Sequence, residues 1–288
     1  MRSILKKMFL IVGLLLLFLS CTQTYTHEQI ERMFAPITSK YGIEIVYEID
    51  ETFTPIWAGG GGAHAEYCIL EPIDRHILAR YPKILEEALA KYPVHVIKNY
   101  MNAVYFAGKI ESSGIPHAGT FDAFRRILYF VDNGSNTADG IAIFHHEFSS
   151  LLLARHSFLL NDWFDQHPEG FMYRSQLYEE QEDMYAGTSM IGTEEDYANG
   201  FINTYSHTNF ENDFNEYARM IFTHPEAFKR IMDQYPRVRG KFLVFLDFYQ
   251  MIDPIFTESY LLGTESEPSD DLPPPAAERD DSPRVYVE

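Results

Sequence analysis

The chain has 288 residues, with 42 acidic against 23 basic side chains and a formal net charge of −19. That balance, without a basic patch anywhere along the chain, argues against a nucleic-acid partner, because phosphate contacts need clustered Lys and Arg. Aromatic residues make up 15% of the chain, including 22 Phe and 19 Tyr, and supply the volume for a core.

Arg2, Lys6 and Lys7 form a basic start, and Met8 to Leu19 is an apolar run broken only by Gly13. About a dozen apolar residues fall short of the roughly 20 that a membrane-spanning helix needs, so residues 1–20 are read as a signal peptide. Small Ser20 directly before Cys21 resembles a bacterial lipobox, in a relaxed form with Phe18 at the −3 position. The resemblance implies cleavage before Cys21, lipidation of its sulfur and a protein anchored to the membrane surface of the cell envelope. Ordinary secretion is the alternative. Residues 21–26 then form a polar tether. With Cys21 at the membrane, Cys68 is the one thiol left, so no intramolecular disulfide is expected. Its neighbours, Ala65 to Leu70, mark a half-buried apolar position and not a nucleophile.

Residues 27–262 contain no internal repeat and no Pro/Ser-rich linker, and read as one domain. The pattern predicts a helix over 27–41 and a strand over 43–49. A loop over 52–66 carries Gly59 to Gly62 and His64, but lacks the Lys and Ser/Thr of a phosphate loop. Apolar residues at 73, 77, 78, 84, 85, 88 and 89 form a helical stripe over 73–92. Strands are predicted over 101–110 and 126–131, the second closed by Asn133-Gly134. A helix follows over 137–156. The second half is almost wholly helical, with its clearest segments at 212–222, 225–235 and 241–252. Strands early and helices late predict an α+β fold. Beyond the domain, Thr264 to Glu288 holds three consecutive prolines and eight acidic residues against Arg279 and Arg284. Such a composition cannot offset its ordering entropy, so 263–288 is read as a disordered acidic tail.

His146-Glu147-Phe148-Ser149-Ser150 is the most informative stretch. It is an H-E-x-x-H zinc motif with serine at the second histidine. In the intact motif, residues i and i+4 share a helical face and grip one zinc ion, while the glutamate reaches the metal-bound water. With Val104 to Ile110 as an edge-like strand, Gly119 and Ile127 to Val131 upstream, and Gly200 to Tyr205 with Asn212 to Ala218 downstream, the chain is similar to zincin-like zinc-binding metallopeptidases found as bacterial envelope lipoproteins. The likeness covers about residues 80 to 260. It implies a zincin-like domain, zinc as cofactor, His146 and Glu216 as metal ligands and Glu147 as general base.

Ser150 departs from that pattern, since a neutral hydroxyl is a poor zinc ligand beside imidazole or thiolate. Nearby histidines do not simply step in. His145 points about 100° away around the helix, and His156 lies about 15 Å along its axis. His207, in the loop before the Glu216 helix, is the best-placed substitute. Two functions stay open: a degenerate site serving as an envelope binding or scaffold module for a peptide or protein partner, or an active zinc-dependent peptidase with a substitute ligand.

Overall fold

The computed structural model describes residues 25–50, 53–55, 68–112, 114–134, 140–156, 158, 160–178 and 184–263. The expected signal peptide, Cys21, the Gly59 to Gly62 loop and the acidic tail from 264 onward lie outside the described residues. The chain opens with α1 (His27–Tyr41), whose buried residues Ile30, Phe34, Ile37 and Tyr41 recur at helical spacing. Thr26, placed in the tether by the sequence reading, is the helix cap. Its hydroxyl accepts from Gln29 N at 3.2 Å while Gln29 Oε1 accepts from Thr26 N at 2.8 Å. Gly42, at φ 66°, closes the helix in the left-handed conformation that glycine adopts without strain.

Next come β1 (Glu44–Val46), β2 (Cys68–Pro72), α2 (Arg75–Leu78), α3 (Tyr81–Leu89) and α4 (Val94–Tyr100). The single helix expected over 73–92 is two helices. Asp74 caps the first, and Pro82, which tolerates only the first turn, starts the second. After these come β3 (Ala103–Ser112), β4 (Ile115–Pro116), β5 (Gly119–Asp122) and β6 (Ile127–Val131).

The strands form one mixed sheet along the path β1-β3-β6-β5, with β2 and β4 also pairing to β3. β1 and β6 run parallel to β3, whereas β2 and β4 run antiparallel to it. Val104 to Ile110, read from the sequence as edge-like, is therefore the central strand. Its near-continuous apolar run reflects burial on both faces. One edge of the path is β5, antiparallel to β6.

Side chains alternate across the sheet. Val104, Phe106, Leu128 and Phe130 enter the larger core with α1, α3 and the later helices. Ala103, Tyr105, Ile127 and Tyr129 pack on the other face around Phe53.

The later helices are α5 (Gly140–Leu153), α6 (Leu160–Phe164), α7 (Glu194–Ala198), α8 (Phe210–Thr223), α9 (Pro225–Gln234), α10 (Pro236–Ile252) and α11 (Glu258–Leu261). Among the described residues no helix is long and apolar enough to cross a membrane. The mixture of sheet and helices agrees with the α+β expectation.

One buried polar knot fixes α10 against α8. Asp213 Oδ2 accepts from Lys241 Nζ at 2.6 Å, Tyr173 at 2.7 Å and Trp163 Nε1 at 2.8 Å. Lys241, fully buried, also lies 3.9 Å from the centre of the Phe201 ring.

Candidate functional site

Helices α5 and α8 pack along each other and bring the motif residues together. Apolar residues enclose most of α5, including Phe144, Phe148 and Leu151 to Leu153. The step of about 100° per residue sends His145 to one side and His146 to another. α8 starts at Asn209, whose side chain accepts from Asn212 N at 2.7 Å. Glu211 and Asp213 in its first turn suit the positive end of the helix dipole.

His146 and Glu216, 70 residues apart, meet. His146 Nδ1 lies 3.1 Å from Glu216 Oε1. The second carboxylate oxygen accepts from Asn203 Nδ2 at 2.6 Å and from Arg219 Nε at 2.8 Å. Asn203 also accepts from Ser206 N at 3.0 Å, so one side chain orders both the Thr204–His207 turn and the carboxylate.

Burial alone would raise the Glu216 carboxyl, but His146, Arg219 and Asn203 outweigh it and hold it below the usual range. For His146, burial favours the neutral ring, yet Glu216, Glu147 and Glu211 together raise it above the ordinary imidazole value. With the ring protonated, the pair is an imidazolium facing a carboxylate. A buried ion pair persists only with its remaining hydrogen bonds made, as they are at Glu216.

Ser150, the departure from the zinc motif, is held in place. Its hydroxyl donates to Glu211 Oε1 at 2.7 Å and accepts from Asn215 Nδ2 at 2.7 Å. Glu147 faces the edge strand. A Cβ at Gly119 would stand 2.7 Å from Ile143 Cγ2 and 2.9 Å from Glu147 Oε1, so glycine permits the close approach of β5. Burial raises the Glu147 carboxyl to about 7, with His146 pulling it down and Glu211 pushing it up. The Tyr205 ring lies 6.0 Å from that of His146 and stacks on Tyr185 at 5.8 Å.

The zinc that the motif implies needs three protein ligands and an open position for hydrolysis. Here the two expected ligands contact each other, and the third position holds a neutral hydroxyl already bonded to Glu211 and Asn215. Among the described residues, no group of three or more His, Cys, Asp or Glu is arranged to hold a metal ion. The donor set does not fit.

The histidines considered as replacements have other neighbours. His207 packs on Phe201 with ring centres 4.4 Å apart, and its Nε2 lies 3.3 Å from Asp196 Oδ1. His156 Nε2 lies 2.6 Å from the Tyr100 hydroxyl, and His145 Nδ1 lies 3.0 Å from that of Tyr92. His207, the best-placed candidate substitute, thus lies against Phe201 and Asp196 in this structure.

Sequence reasoning missed Asn203, Glu211, Asn215 and Arg219. A faint signal existed, since Glu211 and Asn215 stand at i, i+4 and Glu216 and Arg219 at i, i+3 on one helix. Their link to Ser150 spans 61 and 65 residues and leaves no local trace. No family model matches the chain, and neither does any curated protein or solved structure.

Proposed function

We propose that this is a zincin-like module, tethered to the bacterial envelope through lipidated Cys21, in which the metal site has become a polar joint between two helices. It acts by holding a peptide or protein partner and not by zinc-dependent hydrolysis. The observation that carries this reading is Ser150 bonded to Glu211 and Asn215, while His146 is paired directly with Glu216. Arg219 adds a fixed positive charge on Glu216, which opposes a second cation at the same carboxylate.

Calorimetric titration of the purified chain with zinc tests the reading. The wild type should show no stoichiometric binding. Ser150→His should gain it, because an i, i+4 imidazole pair with Glu216 makes three ligands. Tight one-to-one binding by the wild type would overturn the proposal. It would favour instead a zinc peptidase built on His146, Glu216 and a substitute ligand, with Glu147 as general base. One observation favours that second reading: a carboxyl titrating at about 7 suits proton transfer at neutral pH.

A further inference from the structure

Exposed apolar side chains are unevenly spread over this molecule. Of the eleven large ones exposed among the described residues, seven fall between Leu160 and Ile191. Single exposed apolar residues are ordinary on any surface, but a group confined to one stretch marks a contact region. Four of them border the motif site: Leu177 and Tyr178 are 57% and 48% exposed, Met190 and Ile191 46% and 79%.

Hydrogen bonds fix both pairs beside the turn that orders Glu216. The Met190 carbonyl accepts from Arg219 Nη2 at 3.2 Å and from Asn203 Nδ2 at 3.4 Å. Ser189 N donates to Thr204 Oγ1 at 2.7 Å, and Ile191 N to Ser189 Oγ at 3.0 Å. On the other side, Leu177 N and Tyr178 N donate to the Arg174 carbonyl, and the Arg174 guanidinium donates to the carbonyls of Met184 and Ala186. Tyr185, between those two carbonyls in the chain, stacks on Tyr205, whose ring neighbours His146. The two pairs thus belong to one rim beside the motif site.

The same stretch is acidic. Positions 160–196 hold ten acidic residues against one basic, Arg174, in a chain whose overall ratio is 42 to 23. Glu194 and Glu195, exposed in the first turn of α7, follow Ile191 closely. The cations nearest the rim are engaged within the fold, Arg174 by backbone carbonyls and Arg219 by Glu216. An apolar rim in a negative surround complements apolar side chains flanked by Lys and Arg. It repels an anionic lipid surface, the acidic segment 264–288 and a second copy of itself.

We propose that the rim of Leu177, Tyr178, Met190 and Ile191 binds a cationic amphipathic segment of a partner protein, whose Lys and Arg meet Glu194 and Glu195. The inference rests on the reading of this chain as a module that holds a partner, and it names the chemistry of what is held. Met190, unbranched and polarizable, suits a surface that adapts to such a segment.

Fluorescence anisotropy of the full chain with a labelled Leu/Lys peptide of about 18 residues at amphipathic helical spacing tests the surface, with the Leu/Glu counterpart as control. The Leu/Lys peptide should bind and the Leu/Glu peptide should not. Leu177→Ser with Ile191→Ser should weaken binding at least about tenfold. Glu194→Gln with Glu195→Gln should weaken it less and flatten its salt dependence. Leu243→Ser with Met251→Ser, exposed on α10 instead, should bind as the wild type does. No binding of the Leu/Lys peptide, equal binding of both peptides, or equal loss in the rim and α10 variants overturns the proposal. So does a rim variant that binds like the wild type. Sedimentation with phosphatidylglycerol vesicles that the rim variant loses would make the rim a membrane contact and also overturn it. Every measurement is made in chelator, so failure here is read separately from the zinc titration of the motif site.

Discussion

A serine hydroxyl donates one hydrogen bond and accepts two, and at position 150 it donates to Glu211 Oε1 and accepts from Asn215 Nδ2. Ser150→Ala removes both bonds and strands the Asn215 amide, whose carbonyl oxygen already has no partner among the described residues. The expected loss is about 1–3 kcal/mol, measured as a shift of the denaturant midpoint. An unchanged midpoint would mean that the joint contributes nothing.

Glu147 makes a separate prediction in pH. Burial raises its carboxyl from 4.5 to about 7, so the fold favours the protonated form. Its contribution is fully present below the unfolded value and is lost as pH rises through about 7. His146, also raised, acts in the same direction at higher pH. Glu216, held low, acts only on the acid side. Glu147→Gln should therefore melt above the wild type at pH 8 and level with it at pH 4.5. An equal difference at both values would contradict the assignment.

Helices α8 and α10 are joined by Asp213 and Lys241, both fully buried. Lys241→Met leaves the Asp213 carboxylate without its cation and should cost about 3–5 kcal/mol. Adding Asp213→Asn should recover part of that loss in a double-mutant cycle, and independent, additive costs would show that the pair is not coupled.

Elements with strong local signals were readable in the sequence. α1 follows the predicted 27–41, and α8 and α9 fall within two residues of their apolar patterns. Others were obscured by competing effects. The β-branched residues of Val94-His-Val-Ile gave no helical sign for α4, which is set by Pro93 before it and by packing. β2 is short and half-exposed, and its place depends on pairing with β3. His146 and Glu216, singled out together in the sequence, do meet in the structure. Only tertiary packing reveals that Asn203 and Arg219 hold the second oxygen of that carboxylate.

Across the molecule as a whole, the first described helix is capped by Thr26, five positions after Cys21. Five residues extend at most about 18 Å, so lipidation of Cys21 would hold the start of α1 close to the bilayer surface. Radiolabelled palmitate should enter the wild type and not Cys21→Ala, and equal labelling of both would remove the anchor from the account.

Helices α5 and α8 meet through the hydrogen bonds of Ser150 and the contact of His146 with Glu216, which on the proposed reading stand in place of a zinc ion. Elemental analysis of the wild-type chain, purified without chelator and dialysed, tests it most directly. Zinc should stand far below one ion per chain, and one tightly held ion per chain would mean that the metal site is intact.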